Sequence, residues 1–319
     1  MKVRKPKILI SLLVILISQS FISIASPFSK DEEITGSIVE HNLFKKRIIS
    51  KENVDLSVWH PHWKERCYFK DKTNKKSAHT DTIKYLLILL NKEPEISRNL
   101  LSVTNQLNTI FCIDERDDET RGYYDFKYNI LGIKEHLDIF EKLIIFVHEL
   151  RHISQFTRGY HNSLAFDINE IIRMNFAIEA DVQAIVTLYA WRMKQAGTDE
   201  VWNALLGFEH YSDIAKQFER EINLSRNESR ATYAAFVQWY KSEWRVDKYF
   251  KCSYSWYVDM LDETKLIQKY IQFPSDFFDN LCELPCGKNY NCHKSNEITE
   301  TPRNILQKAK QYSTEIASP

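Results

Sequence analysis

Glycine and proline are scarce in this chain, at 7 and 8 positions out of 319, where usage of about 7% and about 5% is ordinary. Few tight hairpins and few helix breakers are therefore available, and the chain is expected to be mostly helical. Long apolar runs are missing beyond about residue 25, so no later segment is expected to span a bilayer. An excess of one charge is missing as well, with 43 basic against 43 acidic residues, and nothing in that balance points to a nucleic-acid partner.

What is present begins at the N-terminus. Lys2, Arg4, Lys5 and Lys7 precede an apolar stretch from Ile8 to Ile17, and Ser23-Ile24-Ala25 places small residues where a signal peptidase reads them. Residues 1–25 read as an export signal cleaved after Ala25, with no cysteine following to carry a lipid. Its removal leaves a mature net charge of about −4. The expected destination is the periplasm or the exterior of a bacterium. All six cysteines (Cys67, Cys112, Cys252, Cys282, Cys286, Cys292) lie in the mature part, and an even set in an exported chain reads as up to three disulfides among 15 possible pairings. Cys282, Cys286 and Cys292, with His293 beside them, offer a Cys3His zinc site as the alternative. Asn223 and Asn227 begin Asn-X-Ser acceptor patterns, of consequence only in a eukaryotic host.

The most informative five residues are His148-Glu149-Leu150-Arg151-His152. In a helix the two histidines stand four residues apart on one face, so their ring nitrogens can converge on one tetrahedral metal. Glu149 projects about 100° round from His148, where it can take a proton from metal-activated water rather than bind the ion. The apolar run Leu143-Ile144-Ile145-Phe146-Val147 leads straight into the motif, so the helix is expected to be buried, and buried imidazoles need partners.

Around the motif, residues 80–109 show the spacing of two amphipathic helices, with Pro94 in the first turn of the second. Residues 110–114 and 123–133 are rich in β-branched and aromatic side chains. Tyr124, Phe126, Tyr128 and Ile130 alternate with polar partners, which predicts an antiparallel hairpin about an acidic loop. A helix over about residues 135–156 carries the motif, and a second long helix covers about residues 166–194. This order of strand, metal-site helix and second helix resembles the zincin metallopeptidases. The fuller pattern through Gln155 and Glu179-Ala180-Asp181-Val182-Gln183-Ala184 is similar to that of an uncharacterised bacterial metallopeptidase family, over about residues 105–195. The resemblance implies that the strand bounds a substrate cleft and that the second helix brings the third ligand; it names no substrate.

Three protein ligands plus water make up the usual catalytic site. The metzincin pattern fails, because Gln155 and Arg158 stand where Gly and His would be needed, and His161 lacks a supporting spacing. Glu179 and Asp181 are the candidates, and at about 200° apart on the wheel they cannot both face one ion. Glu179 shares a polar stripe with Asn175, Gln183 and Thr187, which favours it as ligand. Asp181 lies among Met174, Ile178, Ile185 and Leu188, where it would orient a ligand histidine or pair with a cation such as Arg151. Asp181 nevertheless remains the alternative third ligand, since many zincins place a Glu four residues before such an Asp and that position is Ala177 here. Glu170 is the outside candidate, and Tyr160 and His161 are the only residues near the motif offered as oxyanion donors.

The aromatics of residues 200–260 are expected to fill a core rather than line a groove. Trp59-His60-Pro61-His62-Trp63 is expected to anchor a loop. The sequence thus divides into the signal (1–25), an N-terminal extension (26–78), a helical domain with a zincin-like core (79–250), a cysteine-rich segment (251–294) and a polar tail (295–319). The expected fold is mainly α with a small antiparallel hairpin or sheet, an α+β class. The expected function is that of an exported, Zn²⁺-dependent metallopeptidase acting on peptides or proteins through His148, His152, Glu179 and the base Glu149. The alternative is a non-catalytic, disulfide-stapled helical module that binds a surface or host protein.

Overall fold

The computed structural model describes residues 56–317, apart from 58–59, 71–73, 117–119 and 285. The expected signal, nearly all of the N-terminal extension before residue 56, Trp59 and the middle of the acidic loop lie outside the described residues. In chain order the elements are α1 (Trp63–Arg66), β1 (Cys67–Tyr68), α2 (Ala78–Leu90), α3 (Pro94–Leu107), β2 (Ile110–Asp114), β3 (Gly122–Asp125) and β4 (Ile130–Lys134). They continue as α4 (Ile139–Phe156), α5 (Ile168–Gln195), α6 (Asp199–Gly207), α7 (Ser212–Ser225), α8 (Glu228–Trp239), α9 (Glu243–Thr264), a 3-10 turn (Cys292–Lys294) and α10 (Glu297–Ala317). The class is α+β, mainly helical with one small sheet.

That sheet is mixed, in the order β1-β2-β4-β3, with β2 parallel to β4 and both flanking strands antiparallel. The single strand expected over 123–133 is instead two strands, which form their own hairpin. The second of them, not the first, pairs with β2. The reversal has a local cause: Asp125 Oδ1 accepts the Tyr128 amide at 3.2 Å, and Asn129 takes a left-handed φ of 54°. The Asn129 side chain is then held by Leu107 O (2.7 Å) and by the hydroxyls of Tyr124 and Thr109, both at 3.0 Å. The alternation of Tyr124, Phe126, Tyr128 and Ile130 runs through this turn, which is why a period of two concealed it. As an inner strand, β4 is buried throughout and reads as a near-continuous apolar run.

Helices α4 and α5 form the centre of the molecule. Asp138 caps α4 by accepting from the Phe140 and Glu141 amides, and Glu141 reaches back to the Asp138 amide, satisfying donors that a helix start leaves open. One side of α4 lies on the sheet and the rest is covered by α2, α3, α5 and α6. Asp167 caps α5, which is surrounded by α4 and by all five helices that follow it. Such a helix must be apolar all round, and nearly every residue from Ile171 to Ala190 is buried. Arg192, near its end, is clamped by Glu93, Glu95 and Glu228, and Gly197 (φ 82°) turns the chain out of the helix.

Two disulfides are present, Cys67–Cys112 and Cys282–Cys292. Cys252 and Cys286 are unpaired, so the third disulfide expected from the even count does not form. The pairing of Cys282 with Cys292 also takes two sulfurs from the alternative Cys3His zinc site. Cys67 faces Cys112 directly across the β1–β2 ladder, which ties the start of the described chain to the sheet. The His60 ring meets Glu115 at 3.0 Å, and Arg66 binds both Glu115 and Glu135, so ion pairs anchor this loop. Among the described residues, no helix is long and apolar enough to cross a membrane.

Candidate metal centre and cleft

The motif histidines occupy consecutive turns of α4 with their Nε2 atoms 3.0 Å apart. Helix α5 brings Glu179 against them, with Oε1 3.3 Å from His152 Nε2 and Oε2 3.9 Å from His148 Nε2. One ligand atom from each of the three lies within 4.8 Å of the others, and all three residues are buried; no other such cluster occurs among the described residues. Glu179 Oε2 is buried without a hydrogen-bond partner. Two imidazoles and an under-satisfied carboxylate oxygen converging on one point suit a divalent cation of the zinc type, which relieves the cost of burying that oxygen.

The other face of each ring is supported. Gln155 Nε2 donates to Ile178 O (2.9 Å) and to Asp181 Oδ2 (2.7 Å), which leaves Gln155 Oε1 as the acceptor 3.0 Å from His152 Nδ1. His152 therefore carries a proton on Nδ1, and in the neutral ring the lone pair sits on Nε2, facing the cluster. The Gln183 side-chain nitrogen lies 3.1 Å from His148 Nδ1 and donates to it, so this ring is held with the opposite hydrogen-bond sense to His152.

Burial and neighbouring charge divide the titrations of these groups. Burial, followed by the charge of His152, pulls His148 down to about 3. Burial also acts against His152, but the charge and hydrogen bond of Glu179 outweigh it and push the ring up to about 9. Glu179 is held below the usual carboxylate range, because His152 overcomes the opposing effect of burial. Glu149 is pushed up to about 8, chiefly by burial.

Asp181 is not brought to the cluster. It accepts from Arg151 Nε (2.8 Å), Arg151 NH2 (3.0 Å), Gln155 (2.7 Å) and the Tyr290 hydroxyl (2.7 Å), so its carboxylate is fully engaged on the opposite side of α5. Its partners are Arg151 and Gln155, and the Gln155 oxygen in turn meets His152 Nδ1 at 3.0 Å. Glu170 lies far along the helix, paired with Arg173 and accepting the Phe273 amide at 3.2 Å. The stripe neighbour Asn175 turns to Ser253 (2.9 Å).

A cleft of about 280 Å³ opens over His148 and Glu149. Glu149 is only 2% exposed, yet among the described residues no side chain hydrogen-bonds its carboxylate. One rim is the start of β3, a sheet edge. A Cβ on Gly122 would come 2.3 Å from the Ile145 side chain and 3.3 Å from Glu149 Cγ, so glycine is what lets this strand lie on α4 beside the acid. The opposite wall comes from the α6–α7 connection and from α9, including His210, Tyr211, Trp244 and Tyr249. The ring of His210 stacks on Trp244 at 3.7 Å, and the Tyr211 and Tyr249 hydroxyls meet at 3.1 Å.

These wall residues were not singled out by the sequence reasoning, which assigned the aromatics of 200–260 to the core. Trp202, Phe236 and Trp239 are core, and Phe208 and Tyr249 belong to the core as well while also lining the cleft, whereas Tyr211 and Trp244 are the more open residues of its wall. Tyr160 and His161 do not line the cleft: the Tyr160 hydroxyl donates to Phe277 O at 3.1 Å, and His161 packs against Phe156.

Comparison with known proteins gives one result. Residues 61–292 match the model of a family described as "Putative metallopeptidase family (DUF6782)". No curated protein and no solved structure matches the chain.

Proposed function

The chain belongs to that putative metallopeptidase family, and from this premise we propose that it is an exported, zinc-dependent peptidase whose metal is held by His148, His152 and Glu179 and whose general base is Glu149. Bound Zn²⁺ would supply Lewis acidity toward a peptide carbonyl and would lower the pKa of water to about 7. The protein supplies the rest. His152, with Nδ1 committed to Gln155, offers Nε2 to the ion, and Glu179 offers its unsatisfied oxygen. With the ion held there, Glu149 in its ionised form would take the proton from the attacking water and pass it to the leaving amine. An extended peptide laid along the β3 edge would be held by backbone hydrogen bonds across the cleft mouth.

The observation that carries this reading is the nearly buried residue Glu149, which lines the cleft beside the buried His148–His152–Glu179 cluster. A buried acid in such a place costs stability, and a catalytic duty explains its retention. Export is supported by the basic and apolar N-terminal segment and by the two disulfides. Mature protein purified without a histidine tag should contain about one zinc per chain. Glu149→Gln should keep that metal and lower cleavage of a quenched-fluorescent peptide library by about 10²- to 10⁴-fold. An unchanged cleavage rate in that variant removes Glu149 from the mechanism. A folded sample devoid of metal returns the molecule to the non-catalytic, disulfide-stapled alternative.

A further inference from the structure

We infer that the disulfide-closed loop of residues 282–292, with residues 280–281 that lead into it, is a positioning device for the metal site, acting on His152 through Tyr290, the Arg151–Asp181 pair and Gln155. This rests on the metal-site reading above and adds a part of the chain that lies outside the cleft. Arg151 and Gln155 fall four apart on one face of α4, adjacent to the face that carries His148 and His152, and Arg158 follows in the turn just beyond the end of the helix. All three are used to dock the loop or to transmit its position. Arg151 NH2 donates to Leu281 O (3.0 Å) and Glu283 O (3.1 Å), and Arg158 NH1 donates to Asn280 O (2.6 Å). From within the loop, the buried Tyr290 reaches Asp181 Oδ1 at 2.7 Å. Asp181 in turn receives Gln155, and Gln155 Oε1 fixes the His152 proton.

The loop is small and tightly cross-linked. Its ends are Cys282 and Cys292, joined by the disulfide. Inside, the Tyr290 amide donates to Cys282 O (2.9 Å), the Leu284 amide donates to Lys288 O (2.8 Å), and Glu283 bridges Asn289. A segment of this size has too little core of its own to hold a fixed shape, so the disulfide is what presents two carbonyls and one phenol to the Arg151–Asp181 pair at once. When the loop opens, Arg151 loses two acceptors and Asp181 one donor in a dry environment. Asp181 is then held less firmly against the Gln155 amide, which keeps its bond to Ile178 O, and the hydrogen bond that orients His152 is weakened. The other disulfide, Cys67–Cys112, closes a strand pair on the sheet and has no part in this chain of contacts.

The test compares wild type, Tyr290→Phe, Cys282→Ser/Cys292→Ser and the control Cys67→Ser/Cys112→Ser, all in a Cys286→Ser background so that the exposed free thiol cannot re-pair. Two quantities are read: zinc affinity by competition with a fluorescent chelator, and exchange of the His152 Nδ1 proton in imidazole ¹H–¹⁵N spectra of metal-free protein. Tyr290→Phe and the 282/292 variant should each weaken zinc binding by about 10- to 100-fold, the range for residues that support a ligand, and should speed the proton exchange; the control should change neither. Reduction of the wild type by a dithiol, which cleaves the S–S bond to two thiols while the reagent closes to its own disulfide, should reproduce the 282/292 result. Should the 282/292 variant fail to fold, Tyr290→Phe decides the matter, since it removes one oxygen atom. Equal affinity and equal exchange in wild type and Tyr290→Phe overturn the proposal and leave the metal site standing. A wild type that binds no zinc overturns the metallopeptidase reading instead, while the exchange rates still decide whether the loop positions His152.

Discussion

Glu179 and Asp181 lie two residues apart on the same buried helix and face opposite ways. On one side, Glu179 meets two imidazoles and leaves an oxygen with no hydrogen bond. On the other, Asp181 receives four donors from three side chains and has nothing left to offer an ion. Equal formal charge and equal burial thus accompany opposite states of satisfaction. A saturated buried acid has no valence left for an ion, whereas an under-satisfied one beside two imidazoles could hold a cation.

The contrast can be broken or sharpened by experiment. Glu179→Gln should leave the protein folded and reduce zinc affinity, measured by chelator competition, by more than the about 10- to 100-fold typical of a supporting residue. Asp181→Asn should act most on stability and weaken zinc binding only by the about 10- to 100-fold of a supporting residue. It leaves the buried Arg151 guanidinium without a counter-charge, at a cost of about 3–5 kcal/mol, read as a lower urea midpoint. If Asp181→Asn instead abolished zinc binding in folded protein and Glu179→Gln did not, the assignment of the two acids would be reversed. Gln155→Leu, which cuts the link between the two sides, should weaken zinc binding by about 10- to 100-fold with a smaller loss of stability than Asp181→Asn. The smallest effect is that of pH. In the metal-free pocket, His152 (about 9) and Glu149 (about 8) hold protons at neutral pH, and the cation competes with them. Zinc binding should release protons into a weak buffer, and affinity should fall as pH drops from about 9 to about 7.

The same protons bear on folding. Glu149 is raised from its ordinary 4.5 to about 8, so its contribution to the stability of the metal-free fold is fully present below about 4.5 and disappears as pH rises through about 8. His148, depressed from 6.5 to about 3, works the other way. Its contribution is present above about 6.5 and lost as pH falls toward about 3.

Legibility in the sequence followed the range of the interactions. The spacing of His148 and His152, the capped apolar helix that carries them and the apolar second helix are all local patterns, and each was readable. The polar stripe through Glu179 pointed toward the histidines, although Asn175 turns to Ser253 and Thr187 bonds back to Gln183 O. The stripe was therefore a weaker guide than the contacts that set the face of Glu179. The parallel pairing of β2 with β4 was not readable, because the turn at residues 126–129 is hidden in a strand-like alternation and the partner strand lies 20 positions away. Nor was the cleft wall: Trp239 and Trp244 are five residues apart in similar sequence, and only packing sends one to the core and the other to the cleft.

The helix over Glu297–Ala317 was not legible in what reads as a polar tail. By itself, then, the sequence determined that the motif and the segment after it are helical, that two imidazoles share one helical face with a carboxylate between them, and that the second helix is buried. These depend on side-chain period, capping and composition, which act within a few residues. The tertiary structure decided which acid completes the cluster, which nitrogen of His152 is protonated, which cysteines pair and which aromatics face the cleft. Each of those is a contact between segments tens of residues apart, formed only when the helices, the sheet and the closing loop are packed together.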